Sequence, residues 1–145
     1  GDMFAGRGFA RTLKTVSNAD GMAKLGELQD SMKEGFVFTN LVDFDTLYGH
    51  RKDTAGFRRA LEEFDAWVAG FIAKLGPGDH LFITADHGLD PTSSHTDHTR
   101  EYVPVLWFNT QIEPKALGLR KGFYDLGATV AGVFGVTEFG KGKGF

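Results

Sequence analysis

The sequence predicts an α/β fold, a mostly parallel sheet with helices on both faces. Three observations carry this. Compact apolar runs at 36–42, 80–85 and 103–108 read as buried strands. An amphipathic helix over 54–75 separates the first run from the second, which is the layout of a right-handed crossover. Acidic and imidazole side chains follow the ends of these runs, where open α/β sheets place their ligands.

The elements are expected in this order. Residues 1–17 are irregular with some strand character. Asn18 is a candidate N-cap for a helix to about Lys33, with Met22, Leu25, Leu28 and Met32 on one face and Gly35 as its stop. Phe36 to Val42 follows as a strand. Asp53 or Thr54 caps the long helix. Its apolar stripe is Phe57, Ala60, Leu61, Phe64, Trp67, Val68, Phe71, Ile72 and Leu75, at three- and four-residue spacing. Gly76-Pro77-Gly78 stops it. His80 to Ala85 is the next strand, then a loop from Asp86 to His98. Val103 to Phe108 is a strand whose Pro104 suits an edge or a strand start. A last helix covers about Tyr124 to Phe134, and the tail 141–145 is expected to fray.

Composition narrows the function. The chain has 145 residues, enough for one ordinary domain, with a net charge of −3 and no cluster of basic residues. Nucleic acid and anionic membrane surfaces are poor partners for such a chain. It has no cysteine, so no disulfide framework, and any metal must be held by N and O atoms. No run is long or apolar enough to span a bilayer and no signal-peptide layout is present, so the expected location is cytoplasmic.

Three segments carry chemistry: Asp43-Phe44-Asp45-Thr46-Leu47-Tyr48-Gly49-His50, Thr84-Ala85-Asp86-His87-Gly88, and Thr96-Asp97-His98-Thr99-Arg100. Each has an ordinary reading alone. Asp43 and Asp45 suit a turn or a helix cap, His50 a surface turn, and Asp86-His87-Gly88 and Asp97-His98 solvated loops. Together, at strand ends, they form the donor set of an open metal site of the hydrolase or phosphotransferase kind. Spacing does not choose between Asp43 and Asp45. His80 reads as structural and His95 as a group outside the ligand shell. Arg51, Lys52 and Arg100 suit either phosphate steering or the support of carboxylates.

At this point the residues match a family. The run from Asn40 to Asp53, Ala60-Leu61-Glu62-Glu63-Phe64-Asp65, the run from Thr84 to Thr92, and Thr96 to Glu101 resemble the C-terminal portion of the phosphopentomutases. These are members of the alkaline-phosphatase-like metalloenzyme superfamily. The resemblance extends from Gly1 to about Val136. It implies interconversion of ribose 1-phosphate and ribose 5-phosphate, and of the 2-deoxyribose phosphates, with two manganese ions and a phosphorylated threonine. Zn²⁺ or another divalent ion is the alternative for the donor set. Carried over by position, Asp45, His50 and His98 would hold one ion. Asp86 and His87 would hold the other, with an aspartate and the threonine from elsewhere.

The chain also departs from the family. The resemblance covers the C-terminal part of the metal-binding core, residues 1–145. It leaves the nucleophilic threonine, one aspartate and the sugar-gripping cap to an N-terminal part of the same protein, the implied partner. Pro91-Thr92-Ser93-Ser94-His95 replaces a Thr-Trp-Pro-Gly run, and Lys52 stands where arginine is common. Cofactor-independent phosphoglycerate mutases, in the same superfamily, space the first Asp and His by four and carry Ala-His-Thr. Here Asp45 and His50 are five apart and the later run is Asp97-His98-Thr99. A metal- or partner-binding domain without turnover is the reading from a different class.

Overall fold

The computed structural model describes residues 5–138 and 140–145. The start of the irregular stretch expected over 1–17 lies outside the described residues. The chain divides into two compact units. The first runs to Lys74 and takes in Leu89–His98, and the second comprises Leu75–Gly88 and Thr99–Phe145.

In the first unit, helix α1 spans Asn18–Ser31. Its cap is Ser17 rather than Asn18. The Ser17 hydroxyl accepts the Asp20 N–H at 3.1 Å, and the Asp20 carboxylate accepts the Val16 N–H at 2.9 Å. The Asp20 bond meets one of the donors that the helix start leaves without an intrahelical partner, and the Val16 bond ties down the residue before the cap. The same carboxylate binds Lys24 Nζ one turn on, at 2.7 Å. The helix ends at Ser31, four residues before Gly35, where the Ser31 hydroxyl bonds back to Glu27 O at 2.6 Å.

Phe36 to Val42 forms no strand among the described residues, and Phe36 and Phe38 are exposed. This corrects the strand expectation. An apolar run fixes a tendency toward extended backbone but does not supply a ladder partner. Next comes a π-helical turn over Phe44–Gly49, then helix α2 over Thr54–Ile72. Asp53 caps α2, its carboxylate accepting the Gly56 N–H at 2.8 Å. Phe57 meets Phe44 with ring centroids 5.5 Å apart, and Trp67 meets Phe71 at 4.9 Å. Ala60 is buried, whereas Leu61 on the expected stripe is 49% exposed. Two polar ties join α1 to the end of α2: Gln29 Nε2 donates to Phe71 O at 2.9 Å, and Lys74 pairs with Asp30 at 3.0 Å.

The second unit holds β1 (Leu81–Thr84), β2 (Val105–Phe108) and helix α3 (Tyr124–Val133). The strands pair antiparallel, Leu81 opposite Phe108 and Thr84 opposite Val105. The sheet among the described residues is therefore a two-stranded antiparallel one, not the expected mostly parallel sheet with helices on both faces. The reason is the connection. Residues 85–104 hold no helix, and a parallel partner needs a crossover of that kind. Across the pair, Phe82 stacks on Trp107 at 5.3 Å, and the Trp107 indole N–H donates to His80 Nδ1 at 3.1 Å. Buried Asn109 donates to Pro77 O and Asp79 O at 3.0 and 2.8 Å, fixing the turn before β1. The tail is tied down rather than frayed. Lys143 N–H donates to buried Asp125, and Phe145 N–H to the buried Thr129 hydroxyl, at 2.8 and 3.1 Å. No helix is long and apolar enough to cross a membrane among the described residues.

Candidate metal centre

The segment from 42 to 53 gives its two aspartates different tasks. Asp43 accepts the Asn18 N–H at 2.7 Å through Oδ2 and donates its own N–H to Asn18 Oδ1 at 3.0 Å. It is committed to the start of α1. Asp45 is the acid that faces imidazoles. Its Oδ1 lies 3.2 Å from His50 Nε2 and 3.3 Å from His98 Nε2. The two Nε2 atoms are 3.2 Å apart, which closes the triangle.

Local backbone explains how residues five apart reach one point. In an α-helix they would sit about 140° apart around the axis. Here His50 N–H bonds to Asp45 O at 3.0 Å, an i→i+5 bond that widens the turn and brings both side chains to one side. Gly49 permits this. A Cβ there would run into the Leu89 side chain and lie 2.9 Å from Phe44 O. The turn closes through Lys52, a non-glycine residue at φ 57°.

His98 arrives from the loop 89–98, held to the turn by backbone acceptors. Lys52 Nζ donates to Ser94 O at 3.3 Å and Thr54 Oγ1 to Pro91 O at 3.4 Å. Arg51 Nε donates to Thr46 O at 3.4 Å, so Arg51 and Lys52 brace backbone here. Within the loop, Asp90 accepts the Thr92 hydroxyl and N–H at 2.7 and 2.8 Å. The hydroxyl bond first, and then the N–H bond, hold the Asp90 carboxyl below its ordinary range.

The donor set fits a metal ion. His50 Nδ1 contacts Thr96 O. A carbonyl only accepts, so Nδ1 carries the proton and Nε2 presents its lone pair. Asp45 Oδ1, His50 Nε2 and His98 Nε2 thus converge with edges of 3.2, 3.2 and 3.3 Å. An equilateral triangle of that edge has each corner about 1.9 Å from its centre. Donors at this spacing fit a divalent ion that Asp45, His50 and His98 would hold together. The side chains of Asp45, His50 and His98 are 32%, 40% and 48% exposed, so the position is accessible. His95 is not part of this group.

Asp86 and His87 belong to the second unit, just past β1. His87 Nε2 is 3.7 Å from Asp86 Oδ1, and its Nδ1 contacts Gly88 O at 3.1 Å, which again leaves Nε2 as the lone-pair atom. Sequence reasoning named all five of these residues. It missed the π-helical turn, whose only trace is the five-residue spacing of Asp45 and His50.

Comparison with known proteins agrees with this chemistry. Residues 8–138 match the model of the metalloenzyme superfamily. The chain is 54% identical to a phosphopentomutase of Syntrophotalea carbinolica and 52% identical to one of Symbiobacterium thermophilum, each over 99% of this chain. It is 53% identical to a phosphopentomutase of Anaeromyxobacter sp. over 93% of this chain. It spans 37%, 37% and 35% of the length of these three relatives. The chain belongs to the metalloenzyme superfamily.

Proposed function

We propose that this chain is the C-terminal part, residues 1–145, of the metal-binding core of a phosphopentomutase. The complete protein would interconvert ribose 1-phosphate and ribose 5-phosphate, and the 2-deoxyribose pair. The observation that carries this reading is the Asp45–His50–His98 triangle, in a chain about half identical to phosphopentomutases over nearly its whole length.

In this reading Asp45, His50 and His98 hold one divalent ion, and Asp86 and His87 contribute to a second. Mn²⁺ is the proposed ion at both. Bound there, divalent ions would offset charge on the phosphoryl oxygens and favour deprotonation of a nucleophilic hydroxyl. The chain's own residues fix the donors. Thr96 O holds the His50 tautomer, Gly88 O holds that of His87, and the π-helical turn sets the Asp45–His50 angle. The proposed N-terminal part of the same protein supplies the nucleophile, the remaining carboxylate, the sugar-binding cap and further strands of a mostly parallel sheet. The proposed location is cytoplasmic.

The test is a coupled mutase assay with Mn²⁺, run on the complete protein and on this chain in parallel. The complete protein should turn over and lose most activity in Asp86→Ala or His87→Ala. The isolated chain should not turn over. Turnover by the chain, or undiminished activity in both variants, would contradict the reading.

A further inference from the structure

The loop that carries His98 starts after Gly88 and ends before Thr99, and those two residues are joined. They form an isolated antiparallel bridge in which Thr99 N–H donates to Gly88 O at 3.0 Å. The same carbonyl accepts His87 Nδ1–H at 3.1 Å, so each of its two lone pairs has a donor. In sequence, His87 precedes one half of the bridge and His98 precedes the other. Residue 88 must lack a side chain for the two segments to come this close. A Cβ on Gly88 would lie 2.8 Å from Thr99 O and 3.0 Å from Glu101 N, both backbone atoms, and 2.5 Å from Glu101 Oε2. Backbone cannot swing aside as the end of a side chain can, so a methyl group here would force the segments apart.

We propose that Gly88 is a positioning residue for both histidines, and that its missing side chain is what lets one carbonyl clasp them. The link to His87 is direct. Gly88 O takes the Nδ1 proton and leaves Nε2 as the lone-pair atom. The link to His98 runs through the next peptide bond. With Thr99 pinned, the end of the loop has already lost freedom that His98 would otherwise give up on binding an ion. A carbonyl that orients one imidazole is an ordinary support for a metal ligand. One that also closes the neck of the loop bearing a second ligand couples the order of the two. That His87 and His98 hold metal ions rests on the function proposed above; that the clasp orders them does not.

The test is NMR on the 145-residue chain in EDTA at about pH 7.5, above the ordinary imidazole range. Imidazole nitrogen shifts report which ring nitrogen of His87 carries the proton, and amide exchange reports the Thr99 N–H. The wild-type chain should show His87 in the Nδ1–H form and a protected Thr99 amide. Gly88→Ala should expose that amide and move His87 toward the Nε2–H form that a free imidazole prefers. The amides of β1 and β2 should stay protected, which separates loss of the clasp from loss of the fold. Zn²⁺ titration of the same variant, after EDTA is removed, should show the tight event weakened roughly tenfold, as for loss of a group that orients a ligand. Adding Glu101→Ala to Gly88→Ala should restore nothing, since Thr99 O and Glu101 N remain in the way. Thr99→Pro removes the donor without adding bulk at 88 and should reproduce both effects. Thr99→Val keeps the N–H and should match the wild type. An unprotected Thr99 amide or an Nε2–H His87 in the wild-type chain overturns the proposal, and so does full recovery in the Glu101 double variant. His87 unchanged in Gly88→Ala overturns the link to His87, and a tight event within threefold of the wild type overturns the link to His98. A wild-type chain that binds no ion removes the proposed metal function and leaves the two NMR readouts to decide the clasp.

Discussion

Removal of His98 gives a direct measure of what the triangle does. In the structure His98 Nε2 completes three near-equal edges, 3.2 Å to His50 Nε2 and 3.3 Å to Asp45 Oδ1. His98→Ala leaves two donors and no enclosed position. Loss of a group that merely orients a ligand costs about 10- to 100-fold in metal affinity. Loss of the ligand itself should cost at least the upper end of that range, about 100-fold or about 2.7 kcal/mol. Calorimetric titration of the chain with Mn²⁺ and with Zn²⁺ reads this. The wild-type chain should bind one ion well and a second poorly, because Asp86 and His87 form a pair rather than a set of three. His98→Ala should remove the tight event. Asp43→Ala is the control, since it strips the Asn18 pairing at α1 and should lower stability by about 1–2 kcal/mol while keeping the tight event. A change under threefold in His98→Ala, or two equally tight events in the wild type, would refute the reasoning.

Two further outcomes follow from the same region. Gly49→Ala puts a methyl group into Leu89 and against Phe44 O, so it should destabilise the first unit by about 1–3 kcal/mol and weaken the tight metal event. Thermal unfolding with and without Zn²⁺ checks it, and an unchanged midpoint in both would remove the steric argument. Asp90 should titrate below the ordinary 3.8, and Thr92→Val should bring it back up. Its folded value is depressed, so the order it lends the loop is complete above 3.8 and is lost as pH falls through the lowered value. Carboxyl carbon shifts against pH read this, and an ordinary value in the wild type would contradict it.

Much of this was legible in sequence for physical reasons that differ by element. Helix α2 was visible because a long amphipathic stripe and an aspartate cap agree over many residues, and Asp53 caps it as expected. The choice between Ser17 and Asn18 as the α1 cap was not visible, since both side chains can cap and only the backbone decides. Phe36 to Val42 has the composition of a strand, but composition carries no information on pairing. The same gap hid the antiparallel register of β1 and β2. The donors Asp45, His50 and His98 were legible as residue types. Spacing alone left Asp43 open; the family resemblance pointed to Asp45, and the reciprocal bonds of Asp43 with Asn18 agree with that choice. The π-helical turn left no trace but the five-residue spacing of Asp45 and His50, because no propensity marks an i→i+5 bond.

The central claim is that three named atoms hold one divalent ion. The most direct measurement is a crystal structure of the chain soaked in Mn²⁺, with anomalous scattering collected at the manganese edge. The account places a peak about 2.0–2.2 Å from Asp45 Oδ1, His50 Nε2 and His98 Nε2, with His95 outside the coordination shell. A peak ligated by His95 or by Asp43, or no peak at this triangle, would contradict it.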